Sequence, residues 1–484
     1  MKFNKKAIIC MIMILSMLLG GCGTSLGSSV KKVKLDPDNP TKVTIWHYYN
    51  GDQLEAFNKL IDEFNGSVGK KEGIYVEGSN FGTVNELKDS IGAAVKHRTG
   101  AEAIPNIFAG YADTVYEVDK LGYVVDLKEY LTQKEQDKYI KSYIEEGEFS
   151  GDGSLKIFPT AKSTEVFMLN KTDWNKFAEA TGADLNDLKT IEGVTKTAQA
   201  YYEWTDSQTK KKNDGKAFFG RDALANYFII GAKQLGTEIF SVKEGKVTLD
   251  FDKEIIRKIW DNYYVPFVKG YFAASGKFRS DDINTGNILS FVGSSAGATF
   301  FPDEVIVDDT KSYPIDMEVL EAPEFEGGED YAVQQGAGMA VTKTDEKQMY
   351  ASVQFLKWFT EDERNIQFSV ASGYLPVTKT ANDVKKIEET TDLTGNNELP
   401  IVKAAIDTVN HNTLYTTKAF EDGTDARSIL EYAMSDKASA DRKTVVKRLE
   451  KGESFDEAVK DFVSDSNFDT WYEETKAELE KLVK

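Results

Sequence analysis

The sequence predicts an α/β protein built around a parallel sheet, and two observations carry this prediction. Three stretches in the first part of the chain have the β-branched and aromatic content of strands: KVTIWHYY, GIYVEGSN and IPNIFAGYA. The stretches between them place apolar residues on one helical face: DQLEAFNKLIDEFN and VNELKDSIGAAVKHR. Because strands alternate with helices, the sheet is expected to be parallel, with right-handed crossovers.

Strand and helix signals alternate less regularly in the middle of the chain. The stretch SLKIFPTAKSTEVFMLNKTDW predicts two short strands around a polar turn, and residues 201–204, 226–235 and 253–264 have helical patterns. VQQGAGMAVTKTDE predicts a strand that contains glycines. A long amphipathic helical region follows and is stopped by Gly373, and the last third of the chain is mostly charged helix.

Length and composition limit the class of protein and of partner. The 484 residues suffice for two or three domains, and a hydrophobic content of 41% indicates a globular chain. The net charge of -20 argues against a nucleic-acid partner, because such binding needs Lys and Arg to neutralise phosphates. It also argues against broad contact with anionic lipid. A small anionic ligand stays compatible, since one local cationic pocket can lie on an acidic protein.

The chain begins with the features of a secretory signal. Lys2, Lys5 and Lys6 precede the apolar stretch 7–19, which is too short for a comfortable transmembrane helix. The following Leu-Gly-Gly-Cys resembles the lipobox of bacterial lipoproteins. This resemblance implies a signal peptide at 1–21, cleavage before Cys22 and a diacylglycerol on the Cys22 sulfur. An ordinary secretory signal with an incidental cysteine is the alternative.

Cysteine usage agrees with an anchored, exported protein. The chain has two cysteines, and Cys10 lies in the predicted signal peptide, so the mature chain would keep Cys22 alone and form no internal disulfide. Residues 22–40 are rich in Gly, Ser, Lys, Asp and Pro and predict a flexible tether. We therefore expect a protein anchored by lipid at the extracellular face of the cell membrane.

The stretch GSSAG, residues 293–297, fits the pattern G-x-S-x-G and supports two interpretations. As a nucleophile elbow it would make Ser295 the nucleophile of an anchored serine hydrolase, with His411 as the base that follows in the chain. As a turn of small residues it would offer backbone N–H groups to an anion. No HGGG-type stretch precedes it, and the three histidines share no metal-ligand spacing. We therefore favour binding, and we expect no metal and no cofactor.

Several longer stretches together resemble the family 1 extracellular solute-binding proteins of ABC importers: KVTIWHYYNG after the lipobox, IPNIFAGYADTVYEVDKLGYVVDL, PTAKSTEVFMLNKTDW, and the segment from GAGMAVTKTDE to ASGYLPVTKTA. The resemblance covers nearly the whole mature chain. It implies a two-lobed α/β fold like that of periplasmic binding proteins, with a hinge and an interlobe ligand cleft. It also implies a non-enzymatic monomer that binds a small polar solute and docks on an ABC permease.

The same resemblance implies where the lobes begin and end. Lobe I would comprise 41–160 plus 323–378, and lobe II would comprise 161–322 plus 379–484. The chain would cross between the lobes near 160–164, 320–323 and 376–380, and closure would be a hinge motion.

Within the family, the GSSAG turn resembles that of glycerol-3-phosphate and glycerophosphodiester binders. The ligand contacts of that subgroup fall on these residues: Ser163, Ser294 or Ser295, Gly336 or Gly338, Tyr374, and Arg427 as the phosphate-holding arginine. The chain departs from the subgroup at Tyr111, with Asp113 nearby, where an acidic residue would hold glycerol hydroxyls, and at Thr83, where an aromatic is expected. Tyr49, after the first strand, is a further candidate for stacking on the ligand.

Each of these residues also has a structural interpretation. Ser294 and Ser295 could cap a helix, Tyr374 could pack in the core, and Arg427 could pair on the surface with Asp422 or Asp425. The ligand is accordingly expected to be either a phosphorylated polyol, similar to glycerol phosphate, or a neutral mono- or oligosaccharide.

Overall fold

The computed structural model describes residues 30–243, 246–391 and 398–483. The predicted signal peptide at 1–21 and the predicted lipidation site Cys22 lie outside the described residues.

The strands are numbered in chain order: β1 (Thr41–His47), β2 (Ile74–Asn80), β3 (Ile107–Gly110), β4 (Glu165–Asn170), β5 (Phe219–Arg221), β6 (Phe240–Lys243), β7 (Lys246–Leu249), β8 (Ser290–Ser294), β9 (Glu304–Asp308), β10 (Lys311–Pro314), β11 (Met317–Glu321), β12 (Tyr331–Val333), β13 (Gly338–Val341) and β14 (Thr413–Tyr415).

The α-helices are numbered likewise: α1 (Gly51–Gly66), α2 (Val68–Glu72), α3 (Val84–Val95), α4 (Ala112–Lys120), α5 (Gln133–Gln136), α6 (Lys141–Glu145), α7 (Lys171–Thr181), α8 (Ile191–Asp206), α9 (Leu224–Gln234), α10 (Lys253–Asp261), α11 (Tyr264–Lys269), α12 (Arg279–Asn284), α13 (Glu346–Phe359), α14 (Asp362–Ala371), α15 (Val384–Thr390), α16 (Glu398–His411), α17 (Gly423–Glu450), α18 (Phe455–Val459) and α19 (Asp465–Leu482). Short 3₁₀ helices span Leu127–Glu129, Leu185–Lys189 and Ser295–Phe300.

Lobe I is built around a four-stranded sheet in the order β13-β3-β1-β2. Strand β1 runs parallel to β2 and β3, while β13 is antiparallel to β3. Helix α1 buries Phe57, Leu60, Ile61 and Phe64 against this sheet, because these residues recur at helical spacing on one face. The predicted alternation of strands and helices, with parallel pairing of the first three strands, is confirmed here.

Lobe II is built around a second four-stranded sheet, in the order β11-β4-β8-β5. Strand β4 is antiparallel to both β8 and β11, and β5 is parallel to β8. The prediction of two strands around a polar turn is half right: β4 is one, but the earlier segment contributes only an isolated bridge from Phe158 to Met339. Helix α7 begins directly after β4, because the Asn170 side chain caps its first turn by accepting from the Asp173 amide.

The chain passes between the lobes three times: between β3 and β4, between β11 and β13, and after α14, where α15 and α16 pack in one cluster with residues of β4. The second passage comes later than the predicted 320–323. Phe325 is buried in the aromatic core of lobe II, and its amide donates to the Gln234 side chain, so this segment stays with lobe II. The passage to lobe I therefore falls at 334–337, between β12 and β13. The other lobe limits stay a prediction.

Residues 30–40, at the end of the predicted tether, lie against lobe I. The Lys31 amide donates to the Glu129 carbonyl at 2.8 Å, and the two side chains form an ion pair. Leu35 packs on the lobe I core. This part of the predicted flexible tether is thus held in place, because it has both an apolar and an ionic contact to hold it. Among the helices of the described residues, none combines the length and apolarity needed to span a bilayer.

Candidate functional site

A cavity of about 450 Å³ lies between the lobes and is the candidate site. Lobe I contributes the residues after β3 and the start of α3, lobe II contributes the first turns of α9 and α17, and the passage at 334–336 forms the floor. The polar side chains that line the cavity include these: Lys88, Tyr111, Asp113, Glu146, Asn226, Gln334, Gln335 and Arg427.

Tyr111 and Asp113 reach the cavity because β3 ends at Gly110 and α4 begins at Ala112. Side chains just after the carboxyl end of a parallel strand face the crevice of such a sheet. Tyr111 exposes 40% of its surface, yet the cleft walls surround it, and burial raises the pKa of its hydroxyl while Arg427 opposes the shift. Burial likewise raises the pKa of Asp113 to about 6, although Arg427 and Lys88 oppose this.

Arg427 enters the cavity from lobe II at the end of a buried polar chain. Its guanidinium donates to Asn226 Oδ1, and Asn226 Nδ2 donates to Glu165 Oε1 at 2.8 Å. Glu165 is paired with Arg221, and both side chains are 5% exposed. Within the described residues, no ion pair joins Arg427 to Asp422 or Asp425. The arginine is therefore held toward the ligand space by partners in its own lobe.

The two glutamines on the cavity floor carry hydrogen-bond acceptors that nothing in the described chain uses. Oε1 of Gln334 and Oε1 of Gln335 are both buried without a donor from the described residues. Gln334 is 4% exposed, and its Nε2 donates to Glu146 Oε2 at 2.5 Å. Buried acceptors are normally satisfied, and both residues line the cavity, so a bound solute or water is where their missing donors are to be sought.

The lobes touch at the start of α17. Lys88 Nζ of lobe I lies 3.3 Å from Thr424 Oγ1, and Lys120 pairs with Glu421 at 3.0 Å. Asp113 is also close to this turn. Its Oδ1 would lie 2.9 Å from a Cβ atom added at Gly423. The cavity is thus closed on this side by contacts between the two lobes.

The serines of the GSSAG turn are engaged within the protein. Ser294 Oγ donates to Ser163 Oγ at 3.3 Å and accepts from the Ala296 amide, which caps the short 3₁₀ helix. Ser295 is fully buried, and its hydroxyl donates to the Gly373 carbonyl at 3.2 Å. None of these serines lines the cavity, so their ligand contact stays a prediction.

The catalytic interpretation of this turn is wrong. The Ser295 hydroxyl donates its hydrogen bond to a backbone carbonyl. The His411 side chain lies at the end of α16, is 68% exposed, and has its Nδ1 3.9 Å from Glu321 Oε1. A serine nucleophile needs a base within hydrogen-bond reach of its hydroxyl, and the hydrogen-bond partner of the Ser295 hydroxyl is a backbone carbonyl instead.

Two aromatic candidates pack in the core of lobe I. Tyr49 is 3% exposed and contacts His47, Phe57 and Phe368 with its ring, and Tyr374 is 7% exposed and stacks on Phe368. Neither lines the cavity, which leaves the structural interpretation of Tyr374 in place. Their contact with a ligand stays a prediction.

The remaining candidates divide between the cavity and its surroundings. Gly336 lines the cavity with a φ of 90°, and an added Cβ would meet the Ala161 carbonyl oxygen at 2.9 Å. Gly338 packs against Ile157 at the start of β13. Thr83 caps α3 through a capping box with Glu86, one residue before the cavity begins.

Sequence reasoning missed several residues that the cavity brings together. Asn226, Gln334 and Gln335 were not singled out, although the two glutamines directly precede a glycine that was. The two consecutive amide side chains in QQGAG were therefore a signal that the sequence offered. Asn226 had no such signal, because it lies within an apolar helix pattern.

The described side chains form no cluster of three or more His, Cys, Asp or Glu that could hold a metal ion. The charged side chains of the described chain that line the cavity are Arg427, Lys88 and the carboxylates of Asp113, Glu146 and Glu431.

Comparison with known proteins places this geometry in a family. The family model described as bacterial extracellular solute-binding protein matches residues 59–395. No curated protein sequence matches the chain.

Three solved structures with the same fold are solute-binding proteins that hold a solute or are named for one. The cyclic alpha-maltosyl-1,6-maltose binding protein of Arthrobacter globiformis is 18% identical, with a TM-score of 0.66 over 92% of this chain and 100% of its own. UgpB from Mycobacterium tuberculosis in complex with glycerophosphocholine is 19% identical, with a TM-score of 0.63 over 85% and 100%. A solute-binding protein from Agrobacterium radiobacter K84 in complex with ribitol is 18% identical, with a TM-score of 0.62 over 92% and 100%.

At these identities the likeness shows the fold, and it confirms the two-lobed α/β architecture. The family match rests on the sequence itself and covers most of the chain. The proteins of this family bind solutes and are not enzymes, which agrees with the engaged Ser295 hydroxyl. The chain belongs to the bacterial extracellular solute-binding proteins.

Proposed function

We propose that this chain is the solute-capturing receptor of an ABC importer and that its ligand is a neutral carbohydrate, a mono- or oligosaccharide held between the lobes. The observation that carries the choice of ligand is the pair of unused acceptors on the cavity floor, Gln334 Oε1 and Gln335 Oε1. Such oxygens need donors, and sugar hydroxyls supply them. The phosphate group of a glycerophosphodiester has acceptor oxygens only, so in that ligand the glycerol hydroxyls alone could satisfy them.

The carboxylates and rings of the cavity support the same ligand class. Asp113 and Glu146 are further acceptors for hydroxyl donors. Aromatic residues from both lobes also line the cavity, and the exposed ones, Tyr111 and Tyr432, could offer a flat apolar face to a sugar ring. The related structures named above hold or are named for polyhydroxylated solutes, which agrees with this chemistry.

A second candidate ligand is a phosphorylated polyol such as a glycerophosphodiester. Arg427 and Lys88 are both cations on the cavity wall, and an arginine could hold a phosphate in bidentate fashion. UgpB, with its glycerophosphocholine, has the same fold. We rank this candidate second because Arg427 already donates to Asn226 and because Asp113 and Glu146 would face the anion.

The proposal extends to how the protein is held. Lipidation at Cys22 would keep a monomeric receptor near its permease and so raise their effective concentration. A Cys22→Ala variant should then appear in the medium, whereas the parent protein should fractionate with membranes.

Titration calorimetry with maltotriose, ribitol and glycerophosphocholine tests the ligand class. The informative variant is Gln335→Met, which removes one unused acceptor but leaves the backbone bonds of this residue to Ser163 intact. It should weaken binding of the neutral ligand by about 5- to 10-fold, the worth of one hydrogen bond. Gln208→Met, at an exposed position away from the cavity, is the matched control and should bind as the parent does. The proposal would be contradicted if Gln335→Met bound the neutral ligand as tightly as the parent does. It would also be contradicted if glycerophosphocholine gave a heat of binding and neither neutral ligand did.

A further inference from the structure

The three passages between the lobes are hydrogen-bonded to one another at Lys162 and Ser163. Lys162 and Leu375 exchange both backbone bonds, with the Lys162 amide 3.1 Å from the Leu375 carbonyl. Ser163 and Gln335 do the same, with distances of 3.0 and 2.9 Å. The first passage is therefore hydrogen-bonded to both of the others through two isolated bridges.

The Lys162 side chain is buried at this crossing and makes two hydrogen bonds. Its ammonium donates to Glu146 Oε2 at 2.6 Å and to the Gly336 carbonyl at 2.7 Å. The side chains of Lys162 and Glu146 are 1% and 7% exposed. A buried pair of this kind is tolerable only while its partners stay in place, because a separated charge would remain desolvated and unpaired. The pair thus favours one register of the three passages.

The partners of Lys162 line the ligand cavity, whereas Lys162 itself lies behind the cavity wall. Glu146 and Gly336 face the cavity, and so does Gln334, which donates to the same Glu146 oxygen as Lys162 does. The bond from Gln334 Nε2 to Glu146 is also what leaves Gln334 Oε1 free as an acceptor. The Lys162 ammonium therefore contacts both the Gly336 carbonyl, in the second passage, and the Glu146 carboxylate, which orients Gln334 in the cavity.

We propose that Lys162 is a positioning residue that couples the hinge to the cavity floor: it holds Glu146, Gln334 and Gly336 in their ligand-facing arrangement only while the three passages keep their present register. The part of this inference that concerns the ligand rests on the proposed function. The part that concerns the hinge does not, and it is tested on protein without ligand.

The test uses Lys162→Met together with the double variant Lys162→Met/Glu146→Gln. The double variant removes both charges, so it avoids the unpaired carboxylate of the single one and remains informative if the single variant fails to fold. The matched control is Arg279→Met/Asp282→Asn, which removes a buried pair of 2.5 Å within lobe II, with side chains 6% and 1% exposed. Both double variants should lose thermal stability.

Small-angle scattering and hydrogen exchange of the ligand-free proteins separate the two roles. For Lys162→Met/Glu146→Gln we expect a broader distance distribution and exchange about tenfold faster at the amides of Lys162, Ser163 and Gln335. The control should keep the scattering curve and hinge exchange of the parent. If the hinge double variant also keeps both, Lys162 is merely structural and the inference is overturned.

Titration of the same variants with maltotriose adds the second readout. Affinity should fall at least tenfold both in the hinge double variant and in Lys162→Met, which keeps the cavity-lining Glu146, and stay unchanged in the control. If hinge exchange rises but no sugar binds even the parent protein, the proposed function fails while the hinge inference stands. If the parent binds maltotriose and the hinge double variant binds it equally well, the coupling to the cavity is refuted.

Discussion

Replacing Arg427 by Met distinguishes a neutral from an anionic ligand, and the structure sets the size of the expected effect. Met keeps an unbranched apolar stem of similar length and removes the guanidinium. In the parent protein this guanidinium already donates to Asn226 Oδ1, so a neutral ligand can gain about one further charge-assisted hydrogen bond from it. Such a bond contributes about 1.5 kcal/mol, and its loss should weaken a neutral ligand by roughly tenfold.

An anionic ligand would depend on Arg427 far more strongly. A bidentate contact to phosphate in a partly desolvated cleft would be worth about 3 kcal/mol or more, so the variant would lose over 100-fold in affinity. The dissociation constant of an anion would also rise with salt, whereas that of a neutral sugar would be nearly insensitive to it.

Titration calorimetry at low and high salt measures both effects. The matched control is Arg448→Met, which changes an arginine in the last turn of the same helix, where it pairs with Asp461 away from the cavity. We expect a roughly tenfold, salt-independent loss for Arg427→Met and no loss for the control. A loss above 100-fold that depends on salt would refute the assignment of a neutral ligand.

Three further predictions concern the fold and the hinge. Burial lowers the pKa of His47 to about 4, so the unfolded chain binds this proton more readily than the folded protein does. The free energy of unfolding should therefore be constant above about pH 6.5 and fall by up to about 3 kcal/mol toward pH 4. Urea titrations of His47→Gln should lack this slope. Gly336→Ala should cost about 2–4 kcal/mol and weaken ligand binding, because φ is 90° and the new methyl would meet the Ala161 carbonyl; an unchanged melting temperature contradicts this. Ser295→Ala should lose about 1 kcal/mol with its bond to Gly373 but keep full ligand affinity in calorimetry, and lost binding at unchanged stability would restore Ser295 to the site.

The parts of the fold that the sequence predicted well are those fixed by local patterns. The spacing of Phe57, Leu60 and Phe64 determines which face of α1 is buried, and the strands on either side are visible from their composition. The second passage between lobes was predicted too early, because its position depends on Phe325 docking among helices that lie far away in sequence.

The site residues were likewise predictable from the sequence only where a local pattern determines their position. Tyr111 and Asp113 follow a predicted strand end, and both line the cavity. The pattern around Ser295 could not show that its hydroxyl bonds to Gly373, 78 residues later. Gln334 and Lys162 were missed because Gln334 contacts Glu146, 188 residues away, and Lys162 contacts Gly336, 174 residues away.

The central claim is that a solute is held between two lobes, with groups from both. Hydrogen exchange of the parent protein with and without a saturating ligand from the calorimetric panel tests it most directly. We predict protection at 111–114 in lobe I, at 334–337 in the passage and at 423–427 in lobe II, all appearing together as ligand is added. Protection confined to one lobe, or to a surface away from these three segments, would contradict the account.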